Sequence, residues 1–258
     1  LLGVYAYKFV EGNKLGERTD LGKYVKDGIL RWNVPDGRWR IYAAFNTRNN
    51  GGVTSYMNVL DADSVKLIID GIYEPHYKHY AEDFGKTLAG FFSDEPLFGN
   101  FPWNYTMGVI GTSEMALPWN KDVPAMLEER LGKDWISLMP MLWNENDDNE
   151  LTSAVRCAYM DVLSQLVKEH YSLPIGNWCE AHGVEYIGHI VEDMGASGGT
   201  GNSLGHFFRS MAGMHMGGVD VIGGQYIPAG ENRLGNSRGN FYHFTLGKLG
   251  TPYSHIDP

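Results

Sequence analysis

The stretch LAGFFSDEPLFGN, residues 88–100, decides how the chain is read. An apolar run of strand length ends abruptly in Ser93-Asp94-Glu95-Pro96. Two adjacent acids at the tip of a buried strand have a clear use in one architecture. A (β/α) barrel assembles its active site from the carboxyl ends of several strands. Adjacent strand residues point to opposite sides, so only one of Asp94 and Glu95 can face a barrel mouth directly. Pro96 disfavours the helical region for the residue before it, which predicts an extended Glu95 with a fixed direction. A carboxyl at the end of an apolar strand is partly desolvated, and that suits a general acid.

Working outward, residues 61–84 follow the helical period, with Val65, Ile68, Ile69, Ile72, Tyr80 and Phe84 near one face. Asp61 suits the N-cap, and Pro75 should kink or split the helix. Residues 87–92 then read as a strand. Helices are expected at 123–131, at 151–171 with Val155, Tyr159, Val162 and Leu166 on one face, and before Gly183. VEYIGHIVEDM, residues 184–194, is the next strand; a helix over 203–216 and the strand VDVIGGQYI, residues 219–227, follow. Strands alternating with helices predict a parallel sheet. No G-x-G-x-x-G opens a helix after a strand, which argues against a dinucleotide fold. The expected class is therefore α/β, a (β/α)8 TIM-type barrel, incomplete here because only five or six of its strands are visible in the sequence.

The first residues read differently. Residues 1–50 form an N-terminal β-rich insertion and residues 51–258 the barrel segment. ILRWNV and RWRIYAAF flank the turn Pro35-Asp36-Gly37 and predict a β-hairpin. LLGVYAYKFV lacks the basic start and cleavage site of a signal peptide and reads as a strand. The chain is accordingly expected to begin inside a larger polypeptide, whose remaining domains would be its partners.

Composition narrows the function. The 258 residues are 43% hydrophobic and 20% charged, with a net charge of −10 and scattered basic residues. Nucleic acid rewards clustered Lys and Arg, so it is excluded as a partner. No run approaches the roughly 18 apolar residues of a membrane span. Cys157 and Cys179 each sit in a helical pattern and read as thiols, with a structural disulfide as the alternative.

Carboxylate pairs at separate strand ends suit glycoside hydrolysis. One acid protonates the leaving oxygen while a second attacks the anomeric carbon or activates water. Glu95 is the candidate acid, Glu192 or Asp193 the candidate partner, and Asp94 a substrate contact. His189 interrupts its apolar strand and could bind the partner carboxylate or a sugar hydroxyl. Arg209, His215, Gln225 and Tyr226 are further substrate-binding candidates on this reading, and His206 and Asp220 lie in the same segment. Trp103, Tyr105 and Trp119, in the long loop after Glu95, could form an aromatic platform for a sugar's C–H face. Two alternatives stand beside this reading. One is a metal-dependent barrel hydrolase or isomerase using His189, Glu192 and His206 or His215. The other is a noncatalytic carbohydrate-binding segment.

Residues 60–96, 178–193 and 214–225, together with WNVPDGRWRIYAAF at 32–45, resemble the large bacterial glycoside hydrolases that include α-L-rhamnosidases. The resemblance implies a central segment of a longer multidomain protein, with Glu95 as general acid or acid/base and Glu192 or Asp193 as a catalytic or binding carboxylate. It implies carbohydrate as substrate, a periplasmic or secreted location, and an association with calcium. It also implies a further acidic barrel strand beyond TPYSHIDP, residues 251–258, which this chain lacks.

Overall fold

The computed structural model describes residues 1–47, 56–99, 117–191, 204–220 and 248. Eight strands and seven α-helices are assigned among the described residues.

The N-terminal part is a three-stranded antiparallel sheet. Strand β1 (Gly3–Phe9) is central, between β2 (Leu15–Asp20) and β5 (Trp39–Ala44). Alternation along β1 sends Val4 and Ala6 into a small cluster with Leu21, while Tyr7 enters the main core. There Tyr7 Oη donates to the Ser137 carbonyl at 2.6 Å, fastening the sheet to the helices. The expected hairpin across Pro35-Asp36-Gly37 is not what forms. The segment before that turn supplies only β4 (Ile29–Leu30), which pairs with β3 (Val25–Lys26), while the segment after it, β5, pairs with β1. The tight hairpin is made at Asp27-Gly28, whose φ values of 51° and 74° give the left-handed pair that a two-residue turn with matching twist requires. Turn chemistry at Pro35 redirects the chain, but it does not choose the strand's partner.

Helix α1 (Ala62–Ile68) begins where its cap predicts, with the Asp61 carboxylate accepting from the Ser64 amide at 3.1 Å. Pro75 splits the helical run through a π-helical turn, Ile69–Tyr73, before α2 (Glu74–Tyr80). Proline lacks an amide proton and its ring presses on the carbonyl four residues back, and a wider turn relieves both. Val65 and Phe84 are buried as expected, whereas Ile72 and Tyr80 point outward.

Strand β6 (Gly90–Asp94) starts later than the sequence suggests, because Leu88 bridges back to Phe84 first. Helices α3 (Val123–Leu131), α4 (Trp135–Leu138) and α5 (Asn149–Leu166) follow. Asp148 caps α5 by accepting from the Leu151 amide, and the predicted stripe Val155, Tyr159, Val162 and Leu166 is fully buried. Each such side chain contributes about 1.5–3 kcal/mol of burial. Pro174 repeats the device seen at Pro75, since a π-helical turn, Val167–Ser172, joins α5 to α6 (Leu173–Ala181).

Strand β7 (Glu185–His189) pairs parallel with β6, and β8 (Met216–Gly217) pairs parallel with β7. The sheet order β6-β7-β8 is sequential, with helices in each crossover. Between β7 and β8 the expected long helix shrinks to α7 (Phe207–Ser210). Gly213 lies against the Ser172 backbone, and its amide donates to Ser172 Oγ at 2.8 Å, so the chain turns there instead of continuing helically. Among the described residues no helix is long and apolar enough to cross a membrane.

Candidate functional site

The β6–β7 register places the acids. Gly90 pairs with Glu185 and the ladder runs to Asp94 opposite His189, so these two end adjacent strands side by side. Alternation divides the side chains between two faces. Phe91 stacks on Tyr73 with ring centroids 4.2 Å apart, and Ser93 Oγ lies 2.9 Å from Tyr171 Oη, so these residues face the helices. Phe92 and Asp94 face the other way and are exposed, with the Phe92 ring 5.8 Å from that of His189.

Gly188 makes this registration possible. A Cβ there would lie 2.2 Å from the Ser93 carbonyl oxygen, and its φ of 153° disfavours a side chain. The backbones approach closely just before the point where Asp94 and His189 meet.

His189 Nε2 is 3.0 Å from Asp94 Oδ1, and Nδ1 is 3.2 Å from the Ile190 carbonyl oxygen. The His189 side chain is only 9% exposed while that of Asp94 is 76% exposed. A buried imidazole thus steadies a carboxylate that remains open to a ligand.

Glu95 follows directly and corrects an expectation. Its φ is 44°, in the left-handed region, so it is not extended. Pro96 disfavours the right-handed helical region, and the backbone at Glu95 takes the left-handed alternative. The pleat therefore stops at Asp94, and strand alternation does not set the direction of Glu95. The Glu95 side chain is half-buried and Pro96 is buried.

Other candidates lie elsewhere. His215 opposes Tyr186, and its Nδ1 accepts from the Tyr186 amide at 2.8 Å. That position is three residues before His189 on the ladder, roughly 10 Å along the strand. Arg209 Nη1 donates to the Asp161 carboxylate at 2.6 Å and to Ser164 Oγ at 2.9 Å, clamping α7 onto α5. Arg130 Nε holds the other oxygen of Asp161 at 2.8 Å. Burial raises the pKa of Asp161, but Arg209 first and Arg130 second outweigh it, leaving the carboxyl below its ordinary range. His206 caps α7 through Nδ1, and burial first, then the Arg209 charge, lower its pKa. Trp119 packs into the core against Trp135 at 5.8 Å, so it offers no exposed platform. Asp220 follows β8. Glu192, Asp193, Trp103, Tyr105, Gln225 and Tyr226 lie outside the described residues. Among the described residues no three His, Cys, Asp or Glu side chains are grouped to hold a metal ion.

Sequence reading did not single out Phe92 as an exposed ring beside the pair, nor Ser93 and Tyr171 behind it. Phe92 read as core because apolar residues fill both strand faces in a covered parallel sheet. Tyr171 read only as the last residue of the helix over 151–171, although Pro174, three residues on, signals a local change of pitch.

No family model matches the chain, and no curated protein or solved structure was found to match it.

Proposed function

We propose that the chain is the (β/α)-barrel segment of a glycoside hydrolase that cleaves a terminal glycosidic bond in plant or host polysaccharide, with α-L-rhamnoside as the favoured substrate. The observation that supports this most is the pairing of Asp94 and His189 at 3.0 Å on the ends of adjacent parallel strands, immediately before Glu95. In this reading Glu95 donates its carboxyl proton to the glycosidic oxygen as the C–O bond breaks, and the aglycone leaves as the alcohol. In the same step Glu192 or Asp193 either takes a proton from the attacking water or itself attacks the anomeric carbon, forming a glycosyl ester that water, deprotonated by Glu95, then hydrolyses. Asp94, held by His189, accepts from a sugar hydroxyl. The exposed Phe92 ring receives the sugar's C–H face, since an apolar surface beside fixed polar groups matches a ligand with both characters.

A panel of aryl glycosides that includes aryl α-L-rhamnopyranoside tests the proposal, run alongside calorimetric titration with the free sugars. Release of the phenol by the wild-type chain, lost in Glu95→Gln for aryl glycosides with poor leaving groups, is the expected result. Sugar binding without turnover would replace the hydrolase with a carbohydrate-binding segment, and neither binding nor turnover would overturn the proposal.

A further inference from the structure

Behind the Asp94–His189 pair lies a second polar group set that the reaction above does not use. Ser93 Oγ and Tyr171 Oη are 2.9 Å apart, and Tyr186 Oη donates to Tyr171 Oη at 3.3 Å. Tyr171 and Tyr186 are almost fully buried, at 2% and 0% exposure, so the three hydroxyls satisfy one another away from water. They come from three separate parts of the chain. Ser93 is on β6, Tyr186 on β7, and Tyr171 on the π-helical turn Val167–Ser172.

Their placement is particular. Ser93 is the last β6 residue facing the helices, and the next residue, Asp94, faces the open side. One step further the backbone enters the left-handed conformation at Glu95. Such a conformation persists in a non-glycine residue only where its surroundings over-determine it. Ser93, two residues before Glu95, is tied from behind by Tyr171. The wider π-helical turn, forced by Pro174, sets the position from which the phenol reaches the strand. Single π-turns inside α-helices occur frequently where function constrains the chain.

We infer that Tyr171 is a positioning residue, whose buried phenol, held through Ser93, sets the end of β6 and hence the Asp94–His189 pair and the left-handed backbone at Glu95. The catalytic part of its test rests on the hydrolase reading, while the geometric part does not. Tyr159 provides a matched control. It is equally buried and its hydroxyl donates to the Pro118 carbonyl at 2.8 Å, but its partner lies on neither β6 nor β7.

The experiment compares Tyr171→Phe, Ser93→Ala and Tyr159→Phe in the full chain. Ring-nitrogen NMR of His189, assigned with His189→Gln, reports the geometry, and steady-state kinetics on the aryl glycoside report the chemistry. Tyr171→Phe and Ser93→Ala should both displace the His189 signals and lower kcat at least tenfold, with KM changed less than twofold. Tyr159→Phe should leave both readouts at wild-type values even where it lowers the melting temperature comparably. Unmoved His189 signals in Tyr171→Phe and Ser93→Ala would overturn the inference. Equal displacement in all three variants would also overturn it, by showing a general loss of packing. If the wild type hydrolyses no glycoside, the hydrolase reading falls, and the NMR comparison alone decides the role of Tyr171.

Discussion

Ser93 and Gly188 touch backbone to backbone. The Ser93 carbonyl oxygen occupies the space in which a Gly188 side chain would begin, 2.2 Å from an ideal Cβ. The parallel register carrying Asp94 opposite His189 depends on that approach. Gly188→Ala should therefore separate the strands or shift their pairing, at a cost of about 2–4 kcal/mol from strain and overpacking. Denaturant unfolding measures this, and an unchanged midpoint would show that the strands are not pressed together.

Glu95 occupies a left-handed conformation that costs a non-glycine residue about 1–2 kcal/mol. Glycine removes that cost but loses about 0.5–1 kcal/mol through greater freedom in the unfolded chain. The backbone part of Glu95→Gly is therefore neutral or stabilising by about 1.5 kcal/mol at most, while turnover of glycosides with poor leaving groups should be abolished. Thermal unfolding paired with the glycoside assay checks both halves. A clear loss of stability would mean that the Glu95 side chain itself supports the fold.

The Asp161 carboxyl is held below its ordinary range by Arg209 and Arg130 against the opposing effect of burial. A group whose folded pKa is depressed stabilises the protein above its unfolded pKa, about 3.9 for Asp, and loses that contribution as pH falls through the folded value. The Asp161 side chain is 40% exposed, so solvent screening limits the contribution to about 1 kcal/mol or less. Arg209→Leu should lower stability near neutrality and flatten the acid limb of the stability curve below about pH 4. Parallel curves for variant and wild type would contradict the clamp.

The two cysteines are both free, Cys157 exposed and Cys179 buried, so no disulfide joins them. Burial pushes the Cys179 thiol up to about 12. The thiolate is the reactive form, so a disulfide reagent at pH 8 should titrate one thiol promptly and the second only on unfolding. Rapid reaction of both would show that α6 opens in the native state.

Much of the helical framework was legible in the sequence because its signals are local. The Asp61 cap depends on a side chain reaching an amide three residues on, and the α5 stripe at Val155, Tyr159, Val162 and Leu166 follows one helical period. Asp94 at the strand tip was legible for the same reason. Partner choice was not. β5 pairs with β1 across more than thirty residues of sequence, and the polar turn at Pro35 carries no information about that. Ser93 meets Tyr171 across 78 residues, a contact created by the packing of the parallel strands on α5 and α6. The left-handed backbone at Glu95 was missed because the preference for extended backbone before proline is a tendency that tertiary context overrides here.

The central claim is that Glu95 is the proton donor, and leaving-group dependence in Glu95→Gln tests it most directly. Loss of a general acid should slow cleavage of glycosides with poor leaving groups by roughly 10²–10⁴-fold. Activated aryl glycosides, whose phenolates depart without a proton, should be affected far less, and the basic-side pH dependence of kcat/KM should disappear. An equal loss for good and poor leaving groups, or turnover of poor leaving groups at the wild-type rate, would contradict the assignment.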